Sequence, residues 1–252
     1  MAARIHDLLE IDAQRFLDAH PSLPLWVAET LQTVPFVVVR RGPSASHEIP
    51  VGVRGAERNQ RWAGLCDRSW VRRVVTPARL RDTVLEDSHA KSRVDTIPAM
   101  RSLAHLVNRD GWKDLSCPWG PGGSVGFELA TGHSTAKPTS DLDIVIYADR
   151  RLSVEEARRL HASTQGLPSA VDVRVETPIC GFSLAEYVRV EVAPARAVAP
   201  ATNVVEVSVP PAANAPAAAG VPPAASTPVT ILLRLPSGVT LGPDPWNLGT
   251  TS

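Results

Sequence analysis

The chain has 252 residues, 44% hydrophobic and 21% charged, with a formal net charge of +0, so it can core one or two domains and has no bulk attraction to nucleic acid. Its cysteines, Cys66, Cys117 and Cys180, form no Cys-x-x-Cys pair, which excludes a zinc knuckle or disulfide framework and reads as free thiols in a reducing compartment. No apolar signal core and no run near the roughly 20 apolar residues of a membrane span is found, so a membrane partner is not expected and the expected location is the cytoplasm.

Asp7 is placed to cap a short helix carrying Leu8, Leu9, Ile11 and Phe16, and Leu25 to Gln32 predicts a second. Phe36 to Val39 is a β-branched strand. Ile49 to Arg54 is another, weakened by Pro50 and Gly52, and the two are expected to form a hairpin. From Arg40 to Arg81 arginines outnumber acids. Either they grip a phosphate-rich ligand bidentately or they form a solvated face paired with acids elsewhere. Arg54, Arg58 and Arg61 are the best ligand candidates, because Gly52 and Gly55 leave room beside them. Thr76-Pro77 and Thr96 with Pro98 are helix starts, and Met100, Leu103, Leu106 and Val107 repeat at helical spacing. The polar stretch Asp87 to Asp95 between them lacks strong periodicity. It divides an N-terminal domain, residues 1–92, from a C-terminal domain, residues 93–252.

Leu115 to Trp119 predicts a short strand delivering a glycine-rich turn, Gly120 to Gly123, that ends in Ser124. Glycines let backbone approach a ligand closely, and a serine entering a helix offers N–H groups and a hydroxyl to phosphate oxygens, so Gly123 and Ser124 are candidate phosphate contacts. A helix from Ser124 to Thr131 is closed by Gly132. His133 to Thr139 is a polar connection in which Lys137 is a further candidate substrate contact. Asp141 to Ala148 is a strand, Ser153 and Glu156 make a capping box, and Ala170 to Thr177 alternates with period two, placing Asp172 on one face with Arg174 and Glu176. The order strand, helix, strand, helix, strand predicts an α/β (α+β) fold: a small mixed sheet with flanking helices, preceded by a hairpin-and-helix domain. Asp141 and Asp143 fall on one face of their strand. Two such carboxylates repel each other unless a cation lies between them, and Mg²⁺ suits two aspartates plus substrate phosphates. Downstream, Phe182 to Val190 predicts a helix capped by Ser183. An Ala/Pro-rich insert at about 193–228 is expected to be extended and mobile, and Thr230 to Leu235 and Val239 to Leu241 are paired strands.

Gly-Ser, then Asp-x-Asp, then a third strand carboxylate is the pattern of the DNA polymerase β-like nucleotidyltransferase superfamily, with a longer interval here between Ser124 and Asp141. More narrowly, Arg4 to Leu9, Ile49 to Arg61, Trp119 to Gly132 (Trp-Gly-Pro-Gly-Gly-Ser-Val-Gly-Phe-Glu-Leu-Ala-Thr-Gly), Ser140 to Asp143 and Val171 to Pro178 resemble the malonate decarboxylase holo-acyl-carrier-protein synthases, also called phosphoribosyl-dephospho-CoA transferases. The resemblance spans nearly the whole chain apart from the Ala/Pro-rich segment. It implies transfer of the prosthetic group from 2′-(5″-triphosphoribosyl)-3′-dephospho-CoA to a serine of the acyl-carrier subunit, with pyrophosphate released. Asp141 and Asp143 would then hold Mg²⁺ against the triphosphate, and Asp172 would complete the metal site and help deprotonate the serine. Gly123 and Ser124 would cradle phosphates. Arg54, Arg58 and Arg61 would face CoA-derived phosphates or the acidic carrier. AMP transfer from ATP, or a non-catalytic carrier-binding module, are the alternatives.

Overall fold

The computed structural model describes residues 3–57, 59–189, 230–242 and 244–246. Arg58 and the Ala/Pro-rich insert at 193–228 lie outside the described residues. The N-terminal half comprises β1 (Leu8–Ile11), α1 (Ala13–Ala19), α2 (Leu25–Thr33), β2 (Phe36–Val39), β3 (Glu48–Arg54), β4 (Arg61–Asp67) and β5 (Val71–Val75), in an antiparallel five-stranded sheet of order β4-β3-β2-β1-β5. The hairpin of β2 and β3 is as expected, with Val38 opposite Gly52.

Leu8 to Ile11 is a strand, not the expected helix. Asp12 rather than Asp7 caps the helix that follows, accepting the Arg15 N–H at 3.2 Å. The cause is tertiary. Leu9 and Ile11 enter the N-terminal core, while Leu8 enters the apolar cluster between the two sheets on the other face, so both faces of β1 are buried and no helical stripe exists. The strands β4 and β5 escaped the sequence reading because they are the two edges of the sheet. Arg61, Arg72 and Arg73 stud them with the charge that keeps edges from pairing with other chains.

The C-terminal half comprises α3 (Pro77–Glu86), α4 (Ser88–Val94), α5 (Pro98–Val107), β6 (Trp119–Pro121), α6 (Gly123–Thr131), β7 (Leu142–Tyr147), α7 (Val154–Ser163), β8 (Val171–Glu176), β9 (Gly181–Ser183), α8 (Leu184–Arg189), β10 (Ile231–Leu235) and β11 (Gly238–Gly242). A six-stranded sheet of order β11-β10-β9-β8-β7-β6 results. The β7–β8 pair, joined through α7, is its parallel pair and the others are antiparallel. The α/β (α+β) class read from the sequence is therefore the fold. The polar stretch after Asp87 is itself a helix. Asp87 caps α4 through the Ala90 N–H at 2.8 Å, and Ala90 is its one buried residue, too little to produce a readable period. Thr76 and Ser153 cap α3 and α7, and Gly132 closes α6 at φ 71°, as their sequence positions imply. No helix among the described residues is long and apolar enough to cross a membrane.

The two sheets meet through a third apolar cluster, Leu8, Phe36, Val75 and Leu80, against Phe127, Leu129 and Ala130. A polar joint lies at the far end of β7 and β8. Tyr147 donates to the Ile5 carbonyl at 2.7 Å, and buried Glu176 takes His6 Nε2 at 2.8 Å together with the Arg41 guanidinium.

Candidate active site

Leu142 and Ile144 are fully buried on one side of β7, so Asp143 between them faces the other side. Parallel pairing places Asp143 opposite Asp172 of β8. Neighbouring strands lie about 4.8 Å apart, whereas residues i and i+2 along a strand lie roughly 6.6 Å apart. The tight carboxylate pair is thus Asp143 with Asp172, across the strands. Asp141 precedes β7 and stands exposed at its mouth. Burial raises the Asp143 carboxyl above its ordinary range, and the charge of Asp172 raises it further; Arg54 and Arg174 act the opposite way. Arg174 Nη2 donates to Asp172 Oδ2 at 3.3 Å.

The glycine corner abuts this pair. The Gly122 N–H donates to the Asp143 carbonyl at 2.9 Å. Gly123 opens α6 at φ 56°, and a methyl group on it would lie 1.8 Å from Asp143 Oδ2. A bare backbone is required there on both counts. Ser124 follows in the first turn of α6, its carbonyl accepting the Thr135 hydroxyl at 2.9 Å. Lys137 is exposed, in a turn where its N–H donates to Ser140 Oγ at 2.9 Å, just ahead of Asp141.

The arginine excess divides in two. Arg41, Arg72, Arg73 and Arg81 pair with Glu176, Asp12, Glu10 and Asp82, as a solvated or structural face should. Arg54 and Arg61, like Arg40, Arg68 and Arg79, have no acidic partner among the described residues. They stand directly opposite each other across β3 and β4, a like-charge register that disfavours folding. Arg54 is also close enough to act electrostatically on Asp143. The sequence reading missed Arg174 as a site residue, though its place two positions after Asp172 on the same face was the available signal.

Among the described residues, no group of three or more His, Cys, Asp or Glu side chains is arranged to hold a metal ion. Two facing carboxylates still fit a hard, oxygen-ligated cation whose remaining ligands come from substrate phosphates. The arrangement is therefore a glycine corner beside a carboxylate pair on one sheet, with Arg54 acting on that pair from the other, which fits a phosphate-directed transferase.

Comparison with known proteins makes this narrower. The family model described as the phosphoribosyl-dephospho-CoA transferase MdcG N-terminal domain matches residues 4–77, and that of the MdcG C-terminal domain matches residues 84–197. The phosphoribosyl-dephospho-CoA transferase of Pseudomonas aeruginosa is 35% identical over 182 residues, covering 72% of this chain and 82% of that protein. Those of Klebsiella pneumoniae (35% over 188 residues; 74% and 86%) and Azotobacter vinelandii (35% over 187; 72% and 82%) are similarly related. No solved structure matches the chain. The chain belongs to the phosphoribosyl-dephospho-CoA transferase family.

Proposed function

We propose that this transferase moves the phosphoribosyl-dephospho-CoA group from 2′-(5″-triphosphoribosyl)-3′-dephospho-CoA to a serine on the acyl-carrier subunit of malonate decarboxylase. The serine oxygen attacks the phosphorus next to the ribose. The bond from that phosphorus to the bridging oxygen breaks, pyrophosphate leaves, and a phosphodiester remains. The observation that carries this reading is the Asp143–Asp172 pair in register beside Gly123, with Arg54 acting on it from the other sheet.

In this reading Asp172 takes the serine proton. The Gly123 and Ser124 backbone cradles the β- and γ-phosphates, where developing charge on the leaving group meets N–H donors at a helix start. Asp143 and Asp172 would hold Mg²⁺, which when bound neutralises phosphate charge and orients the triphosphate, while Asp141 stays at the mouth of the strand, because no three acidic side chains among the described residues are arranged around one ion. Arg54, Arg58, Arg61 and Lys137 hold donor phosphates or the acidic carrier surface. Such contacts explain retaining two arginines in a repulsive register.

Incubating the enzyme with donor, Mg²⁺ and the carrier subunit tests this. The carrier gains the mass of the prosthetic group, and with ATP in place of the donor it gains nothing. Adenylation from ATP would transfer the site to the alternative nucleotidyltransferase reading.

A further inference from the structure

The connection from α6 to β7 folds back along α6 and is tied to it by a buried carboxylate. Glu128 is completely buried. It accepts the N–H groups of Thr135 at 2.9 Å and Ala136 at 2.8 Å, and Arg93 Nε at 2.8 Å. Arg93, from α4, also donates to the Ala136 carbonyl at 2.8 Å, and His89 Nε2 lies 3.3 Å from Glu128 Oε1. The Thr135 hydroxyl completes the tie by donating to the Ser124 carbonyl at 2.9 Å. The chain then makes the turn in which Lys137 and Ser140 exchange hydrogen bonds, and the next residue is Asp141.

Burial acts to raise the Glu128 carboxyl, but the Arg93 guanidinium and the Ala136 and Thr135 N–H groups outweigh it and hold the group below its ordinary range. A buried ion pair is a poor way to gain stability, since apolar side chains of similar volume do as well or better. What it provides is one geometry: a carboxylate whose donors come from α4 and from two successive residues of the connection fixes where that connection lies.

We propose that Glu128 is a positioning residue for the transfer reaction, holding residues 133–140 against the first turn of α6 so that Lys137 meets the donor's phosphates beside Ser124 and Asp141. This role rests on the reading of Lys137 as a donor contact.

A double-mutant cycle tests it, using wild type, Glu128→Gln, Lys137→Ala and the double variant. The readouts are the KM for triphosphoribosyl-dephospho-CoA, kcat, and amide exchange across residues 133–140. Gln keeps the volume of Glu but removes the charge that Arg93 meets, and replaces one of the two oxygens with a donor. Each single substitution raises the donor KM on the order of tenfold, the size of one lost hydrogen bond to a charged group, with kcat changed far less. Glu128→Gln also raises exchange in the connection, and the double variant is no worse than Lys137→Ala alone. Additive effects on KM, or wild-type exchange in Glu128→Gln, would overturn the positioning role while leaving Lys137 a donor contact. A wild-type KM for Lys137→Ala would overturn that contact and this role together. If Glu128→Gln fails to fold, Thr135→Val takes its place in the cycle, because it loosens the same connection without touching the buried pair.

Discussion

Asp172, Arg174 and Glu176 occupy alternate positions along one face of β8, and the two ends of that row differ sharply. At the far end Glu176 is buried, clasped by Arg41 and His6 from the N-terminal half and packed so closely that a methyl group on Gly181 would lie 2.7 Å from its oxygens. At the near end the Asp172 side chain is 49% exposed, and its nearest charged neighbours include another carboxylate. The same strand face thus serves as a joint where charges are matched and covered, and as a site where two carboxylates face each other in the open with Arg174 bonded to one of them. Structure alone favours the first arrangement. The second costs stability and persists where a ligand supplies what is missing.

The largest expected effect separates the two ends directly. Asp172→Asn should lower the transfer rate by about a thousandfold, as loss of a carboxylate at a phosphoryl-transfer centre removes several kcal/mol of transition-state stabilisation, while the unfolding midpoint barely moves. Single-turnover kinetics alongside a thermal melt checks this. Glu176→Gln should show the reverse. It breaks a buried pair and should destabilise by roughly 3 kcal/mol, measured by urea unfolding, with near wild-type turnover per folded molecule. Should Glu176→Gln abolish turnover without loss of stability, the joint and the site are not distinct.

Arg54→Ala sharpens the comparison from the opposite sheet. It should raise the donor KM by about tenfold, a typical loss for a charge-assisted phosphate contact, and should not reduce stability, since it relieves the repulsion with Arg61. The smallest effect concerns pH. Folding raises the Asp143 carboxyl above its ordinary 3.8, so folding favours its protonated form. That contribution is complete below the ordinary value and is lost as pH climbs through the folded one. Urea midpoints of wild type should therefore fall relative to Asp143→Asn as pH rises from about 4 upward, and Mg²⁺ should offset the fall in wild type but not in the variant.

Much of the C-terminal half was legible in the chain because its signals are local. Ser153 caps its helix, Gly132 stops another, and Val171 to Glu176 alternates cleanly. Gly123, Ser124 and the aspartates are legible as candidates for the same reason. What could not be read depends on partners remote in sequence. Leu8 to Ile11 is a strand because two separate cores claim its two faces, and α4 buries too little to leave a period. The closest carboxylate pair was expected within one strand, between Asp141 and Asp143. It forms between strands because register, which no single strand reveals, sets Asp143 against Asp172. The contact of Arg93 with Glu128 spans 35 residues, and the division of the arginines into paired and unpaired required knowing where Glu10, Asp12 and Glu176 lie.

The central claim is that the facing carboxylates beside Gly123 are the reactive centre for attaching the prosthetic group. Intact-mass spectrometry of the carrier subunit, after timed incubation with donor, Mg²⁺ and either wild-type enzyme or Asp143→Asn, tests it most directly. The account predicts full conversion by wild type while the carrier exposed to the variant stays at its original mass; conversion at equal rates by both would contradict it.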